Sequence, residues 1–430
     1  MASHSLETNL QTPISRHDTP GHHERAKVRL VVGVTSDQTC LVLRGRLRSL
    51  RLAGFEVTLI SSPGESLDRI AAEEGIHAFP LPMKRGIAPI SDIVSFVALF
   101  RLLWRLRPAI TDFSTPKAGL LGNIAAWLVR VPHRVYTLRG LKLEGTSGAK
   151  RGLLLLSERV ASWCADFVLC NSASLRIRAQ DLRISPVQKI RLLGDGSSNG
   201  VDTERFSPGS STVRERLGIA PDDLVLGFVG RLTRDKGIPE LLAAFDTIVR
   251  TEPSCWLLLV GWFDDAEDAL DTGMREKIGT HPRIRCTGFI LDTVAYYRAM
   301  DLFVLPTHRE GFPNVALEAS ACELAVITTE STGARDAVLP EVTGLLIPPR
   351  NPEDISRTVL ELLRDPNKRR RLGIAGRTMV QERYTRERVL GLAAEFYRHL
   401  LTPSESAQLR TASDETSPEV GSEPVIRRKL

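Results

Sequence analysis

Along this chain a short apolar run is followed repeatedly by a loop and then by a stretch of helical period, and this alternation constrains the fold more than any other feature. Val28 to Val34 is the first such run; behind it come the loop Thr35 to Thr39 and a helix expected to about Ala53. Glu56 to Ser61, Ala78 to Leu81, Ala109 to Phe113, Arg134 to Leu138 and Phe167 to Cys170 continue the strands. Helices are expected between them at Ile70 to Gly75, Asp92 to Leu106, Leu120 to Val129, Leu153 to Cys164 and, last, Ala173 to Ala179. Strands that are apolar nearly throughout are buried on both faces, as in parallel sheets covered by helices, so the fold class is α/β. The alternation restarts at Leu224 to Val229 and runs through Ile238 to Thr251, Trp256 to Val260, Arg275 to Gly279, Arg283 to Thr287 and Thr293 to Ala299. Leu302 to Leu305, Ala325 to Thr328 and Asp336 to Leu339 carry it to a helix at Pro352 to Arg364. Two Rossmann-like domains in tandem place their ligand edges across a cleft.

At 430 residues the chain is long enough for two full-sized cores, and its 42% hydrophobic and 25% charged residues are ordinary for a globular protein. The expected organisation is a disordered tail over 1–26, an N-terminal domain over 27–205, a C-terminal domain over 206–384, a helix over 385–401 crossing back to the first domain, and a disordered tail over 402–430. Both tails are rich in Ser, Thr, Pro and Glu and lack apolar periodicity. No stretch reads as a signal peptide or a membrane span, and the six cysteines show no metal-ligand spacing, so reduced, buried thiols and a cytoplasmic location are expected. The net charge of +6 hides an asymmetry: Lys and Arg outnumber Asp and Glu in the first half, and the reverse holds in the second. A basic first half fits an anionic membrane, a lipid diphosphate or nucleic acid, or simply solvated helix faces.

Two segments carry chemistry. In Glu310-Gly311-Phe312-Pro313-Asn314-Val315-Ala316-Leu317-Glu318, two carboxylates bracket a glycine turn and a helix start. Glu310 is expected on a loop at a strand's carboxyl end, and Glu318 about two turns into the helix. Free backbone N–H groups near Gly311 to Asn314 suit a phosphate, and the carboxylates suit sugar hydroxyls. Gly230-Arg231-Leu232-Thr233-Arg234-Asp235-Lys236-Gly237 lies between a strand and a helix and offers two cations, Arg231 and Lys236, to a diphosphate on which charge builds as a glycosidic bond breaks. Taken singly, each segment is also compatible with a solvated surface.

Together, GRLTRDKG, LLLVG, DLFVLPTHREGFPNVALEASA and GLLIPP, in this order, resemble the retaining family four glycosyltransferases of GT-B fold. STPKAGLLGNIAA, RVYTLRGL and SSNGVD resemble the branch that builds bacterial capsule, exopolysaccharide or O-antigen repeats on a lipid carrier. The resemblance implies an N-terminal acceptor domain, a C-terminal donor domain, and transfer from a nucleoside diphosphate sugar, a UDP-sugar, to a lipid-linked saccharide at the inner face of the plasma membrane. It further implies that Arg231 and Lys236 bind the diphosphate, Glu310 touches the transferred sugar, and Glu318 holds the ribose. Gly311, Phe312, Pro313 and Asn314 would lie along the phosphates, and Phe289 and Ile290 beside the base. Retention by front-face attack, in which the leaving phosphate assists deprotonation of the acceptor, needs no metal and no cofactor, and the chain has no strict Asp-x-Asp.

The chain departs from the family pattern at Arg139-Gly140, where a histidine precedes the glycine in most members, and at Thr35 to Thr39, where a glycine-rich loop is common. Glu323 and Ala325 replace the usual Gly and Pro. Thr35, Asp37, Lys117 and Arg139 are the acceptor-side candidates; Lys117 reads equally well as a surface lysine. Arg44, Arg46, Arg48 and Arg51 on one helix, and Arg101, Arg105 and Arg107 about another, either rest on anionic lipid or are merely solvated. A soluble-acceptor transferase or a sugar-nucleotide epimerase fits the same fold. A nucleic-acid-binding or regulatory module is disfavoured, because no aromatic platform interleaves the arginines.

Overall fold

The computed structural model describes residues 27–402 except 87, 266 and 267, together with residue 409; the two tail readings lie almost wholly outside this range. The first half runs β1 (Val28–Gly33), α1 (Arg46–Leu52), β2 (Phe55–Ser61), α2 (Glu65–Glu74), β3 (His77–Pro80), α3 (Pro89–Leu106), β4 (Ile110–Ser114), α4 (Pro116–Val129), β5 (His133–Leu138), α5 (Gly148–Cys164), β6 (Phe167–Cys170), α6 (Ala173–Asp181) and β7 (Ile190–Leu192). Its seven strands are parallel in the order β3-β2-β1-β4-β5-β6-β7. The second half runs α7 (Val213–Arg216), β8 (Leu224–Val229), α8 (Ile238–Thr251), β9 (Cys255–Val260), α9 (Thr272–Thr280), β10 (Ile284–Cys286), α10 (Val294–Tyr297), β11 (Leu302–Leu305), α11 (Asn314–Ala321), β12 (Ala325–Thr329), β13 (Gly344–Ile347), α12 (Pro352–Arg364), α13 (Pro366–Arg383) and α14 (Arg386–Leu401). Its six strands are parallel in the order β10-β9-β8-β11-β12-β13.

Both sheets follow from their strands' composition. Every residue of β4, β9, β11 and β12 is buried, because helices cover both faces. On one face of the first sheet, Leu47 and Leu50 of α1 pack with Phe396, Tyr397 and Leu400 of α14. Leu99, Leu102 and Leu103 of α3 and Ala118, Ala125 and Ala126 of α4 cover the other. Thus α14 belongs to the core of the first sheet although it follows the second in sequence. The chain crosses where Val201 and Thr385 form a parallel bridge, with Val201 N–H donating to Tyr384 O at 2.8 Å and Arg386 N–H to Val201 O at 2.9 Å. At Gly200 (φ 62°) a Cβ would lie 2.6 Å from Thr385 O, so only glycine lets the strands approach.

Several local expectations are corrected. The first helix is broken: Asp37–Leu43 form a 3₁₀ segment, Gly45 turns at φ 85°, and α1 starts only at Arg46. The carboxylate of Glu74 fixes this break by accepting the N–H groups of Gly45 (2.9 Å) and Arg48 (2.8 Å), which caps α1 from α2. Asp336 to Leu339, expected to continue the alternation, forms neither a strand nor an α-helix: Arg335–Ala337 make a 3₁₀ turn whose Asp336 is held by Ser174, and the next strand is β13. The arginine-rich α13 carried no apolar period because glycine forms part of its inner face; a Cβ on Gly373 would come 2.0 Å from Glu323 O. Glu323, after α11, does take the left-handed conformation (φ 62°), at a cost of roughly 1 kcal/mol relative to glycine. All six cysteines are free; five are buried and Cys286 is exposed.

Candidate functional site

The carboxyl ends of the two sheets meet across one cleft, and the chain's two chemical segments lie on its second-domain side. Glu310 follows β11 on a loop pinned by its own N–H to Thr332 O (3.0 Å) and by Thr307 Oγ1 to the carbonyls of Arg309 (3.1 Å) and Asp235 (3.2 Å). Gly311 has no room for a side chain: a Cβ there would lie 2.5 Å from the carbonyl of Arg139 in the opposite domain. The loops Arg139-Gly140 and Glu310-Gly311 therefore touch, and the cleft is closed at this point. Pro313 sits at the N-cap of α11.

The cations of the Gly230–Gly237 turn are not free. Lys236 Nζ forms an ion pair with Glu310 Oε1. Arg231 pairs with Asp264 (2.8 Å) and approaches Asp235 (3.9 Å), and Arg309 pairs with Asp235 at 3.0 Å. Burial alone would raise the pKa of Asp235, but the Thr233 hydroxyl (2.6 Å) and the charges of Lys236, Arg309 and Arg231 together hold it below the usual range. The result is a compact ion cluster, in which Arg85 of the first domain also approaches Asp264 (3.6 Å) and Asp268 approaches Arg309 (3.5 Å). Asp235, Asp264 and Arg309 were missed as cluster members; Asp235 had a signal in its place inside the turn, and Arg309 in its place beside Glu310.

Glu318, partly exposed on α11, accepts the Tyr297 hydroxyl at 2.9 Å. Burial pushes its pKa up to about 7, with the Tyr297 hydrogen bond opposing. Phe312 turns its side chain into the core against Tyr384, ring centres 5.4 Å apart, so only its backbone faces the loop. Asn314 Oδ1 accepts Ser197 Oγ (2.8 Å) from the first domain. Phe289 is half exposed and meets Trp262 edge-on at 5.1 Å, while Ile290 packs against the second core; Trp262 was not anticipated.

On the first-domain side the candidates are engaged structurally. Thr35 Oγ1 bonds Thr115 Oγ1 (2.7 Å) and accepts Ala118 N–H (3.1 Å), bracing Thr115 in a left-handed conformation (φ 71°) at the start of α4. The Asp37 carboxylate lies against Gly64 at the start of α2. Lys117 pairs with Asp92 at 2.5 Å and also donates to Gly86 O, so it is not a free cation. Arg139 donates to Ser114 Oγ (3.1 Å) and Ser198 Oγ (3.0 Å), and burial, reinforced by nearby Arg46, lowers its pKa to about 10. Beneath it Arg46 is buried, donating to Tyr397 Oη (3.0 Å) and lying 3.7 Å from Asp112, whose other oxygen accepts Thr137 Oγ1 at 2.6 Å. Arg44, Arg46, Arg48 and Arg51 are thus no lipid-facing row. Arg44 pairs with Glu73 at 3.0 Å, and Arg48 and Arg51 donate to the carbonyls of Glu73 and Glu74, because the end of α2 attracts cations.

Two parallel-sheet domains with strand ends facing across a cleft define the GT-B architecture, and a crystal structure of Anabaena Alr3699/HepE in complex with UDP and glucose matches it with a TM-score of 0.72 at 19% identity, covering 86% of this chain and 99% of that one. The chain belongs to the group 1, family four type of glycosyltransferases. The model for glycosyl transferases group 1 matches residues 210–379, and that for the glycosyl transferase 4-like domain matches residues 42–196. The capsular polysaccharide biosynthesis glycosyltransferase CapM of Staphylococcus aureus is 35% identical over 373 residues, 86% of this chain and 97% of that protein. The UDP-Gal:α-D-GlcNAc-diphosphoundecaprenol α-1,3-galactosyltransferase of Escherichia coli is 29% identical over 301 residues, 68% of this chain and 76% of that protein.

Proposed function

We propose that this glycosyltransferase moves a sugar from a UDP-sugar to a lipid-linked saccharide during surface polysaccharide synthesis, with retention of configuration and without a metal ion. The observation that carries the reading is the ion cluster at the cleft, in which Lys236 and Glu310 are paired and Arg231 stands within the same group. An arriving diphosphate takes Lys236 and Arg231 as counter-ions, and Glu310, released from Lys236, accepts hydrogen bonds from the transferred sugar. Charge that builds on the leaving β-phosphate in the transition state meets cations already in place, which is the role a metal plays elsewhere. The leaving phosphate oxygen takes the acceptor hydroxyl proton on the same face of the sugar. Glu318 accepts from the ribose hydroxyls, and Trp262 and Phe289 lie at the strand end where the base would rest. The Escherichia coli relative works from UDP-Gal on a diphosphoundecaprenol-linked sugar, which supports both donor and acceptor, and the Anabaena structure holds UDP, which supports the donor.

The test is a thermal-shift panel of nucleoside diphosphates and their sugars, followed by transfer from the best binder to membrane lipid extract. UDP and one UDP-sugar are expected to raise the melting temperature, and labelled sugar to appear in the lipid fraction. Stabilisation by guanosine or adenosine diphosphates alone, or labelled sugar only in water-soluble products, overturns the reading. Glu310→Gln is expected to reduce transfer about a hundredfold with UDP affinity little changed; full transfer by that protein removes Glu310 from the chemistry.

A further inference from the structure

Three helices on one face of the first sheet carry an exposed apolar surface that the site does not use. On α3, Ile90, Ile93, Val94, Val97 and Trp104 recur at helical spacing, and Trp104 is 62% exposed. On α5, Leu153, Leu156 and Trp163 repeat the pattern, with Trp163 64% exposed. Between them α4 ends in Trp127 and Leu128, 42% and 48% exposed, and the Trp127 and Trp163 rings meet at 5.1 Å. Three of the chain's five tryptophans therefore stand in solvent on a single face, where an isolated apolar residue would need no explanation but a contiguous patch does.

The charges on this face have one sign. Arg101, Arg105 and Arg107 are exposed on α3 and its end, without an ion-pair partner among the described residues, and Arg159 is exposed on α5. The only acidic residues of the three helices, Asp92 and Glu158, are neutralised internally, by Lys117 and by the Tyr136 hydroxyl at 2.5 Å. Tryptophans and aliphatic side chains interleaved with unpaired arginines match the boundary between headgroups and acyl chains, where indole rings settle and guanidinium groups meet lipid phosphates. A second copy of the chain fits poorly, because a two-fold interface would set these arginines against themselves.

We propose that the α3–α4–α5 face is a membrane-docking surface for anionic phospholipid, with the tryptophans inserted among the headgroups. Each of the three helices follows a strand whose carboxyl end borders the cleft, so the face descends from the cleft mouth. A bilayer there brings a lipid-anchored acceptor to the site without crossing solvent. The docking surface stands on exposure and charge alone, and its test does not depend on the donor chemistry.

The full chain is mixed with vesicles of phosphatidylglycerol and phosphatidylcholine in equal parts, with phosphatidylcholine vesicles as control, and sedimented; tryptophan emission is followed with lipids brominated along the acyl chain. Binding to the anionic vesicles, weakening with salt, and quenching by bromine are expected. The double variant Trp104→Ser/Trp163→Ser should lose partitioning at least tenfold, and Arg101→Glu/Arg105→Glu should lose the preference for anionic lipid, each with an unchanged melting temperature and an unchanged shift on adding UDP. Vesicle binding that is unquenched, equal on both lipids, or unaltered in both variants overturns the proposal. So does a concentration-dependent dimer, without lipid, that the tryptophan variant abolishes.

Discussion

The two sides of the cleft hold similar numbers of charged candidates but use them differently. On the second-domain side, Lys236 pairs with Glu310 and Arg231 with Asp264, partners that all lie on loops at strand carboxyl ends. On the first-domain side, Lys117 is tied to Asp92 of α3, and Arg46 is buried against Asp112 and Tyr397, joining α1, β4 and α14. One set of charges sits on loops at the cleft, where the proposed donor would exchange partners with it; the other is spent on holding helices to a sheet. Charge in a cleft is therefore a poor guide to catalysis until its partners are known, since a buried pair and a ligand-facing pair look alike in sequence.

The largest effect is expected at Lys236→Ala. Losing one fixed counter-charge to the leaving group should lower kcat by about a hundred- to a thousandfold, with little change in melting temperature; a tenfold loss or less would place Lys236 with the structural charges. Asp112→Asn should show the opposite signature. It leaves buried Arg46 without its carboxylate, costing on the order of 3 kcal/mol in denaturant unfolding, while turnover per folded molecule stays near wild type. A large kcat defect at unchanged stability would move the first-domain network into the chemistry.

Next in size is the pH dependence of nucleotide binding. Glu318, its pKa pushed up to about 7 by burial, is mostly protonated below that value, yet ribose hydroxyls donate to the ionised form. UDP affinity should rise between pH 6 and 8 by roughly tenfold, the equivalent of about one pKa unit, and level off above. The same raised pKa means that the free native state keeps a proton the unfolded chain has shed, so this group's contribution to stability falls as pH rises from the usual carboxylate range through about 7. Glu318→Gln should flatten both profiles; a calorimetric titration in buffers of different ionisation enthalpy checks the proton released on binding. The smallest effect belongs to Lys117→Ala, which should change turnover by less than the roughly tenfold that ~1.4 kcal/mol represents, and lower the melting temperature slightly through loss of the Asp92 pair.

The α/β class and the alternation of strands and helices were legible because parallel strands buried on both faces are largely apolar, the polar residues of β4 and β12 being buried exceptions. The helices that failed to show are instructive. In α13 glycine takes part of the inner face, so close packing replaced the apolar stripe. The regular element expected at 336–339 is absent because its aspartate is claimed by Ser174 of the other domain, a partner 162 residues away in sequence. The candidates Glu310, Glu318, Arg231 and Lys236 came from two short segments. Their pairing could not be read there, nor could the part taken by Asp264 and Trp262, which stand on loops with no recognisable pattern, or by Arg309, whose partner Asp235 lies 74 residues away.

By itself the sequence determined two parallel-sheet domains, membership of a glycosyltransferase family, and the residue types offered to a ligand at the second domain's strand ends, because each is a property of short segments and their order. Only the tertiary structure decided which charges pair on loops at the cleft and which are buried between elements. Arg46 and Tyr397 are 351 residues apart in sequence and meet only because α14 returns to the first sheet. It also decided that three tryptophans from separate helices share one exposed face. Both outcomes depend on which surfaces meet and which stay in water, and that is fixed only when helices pack against a closed sheet.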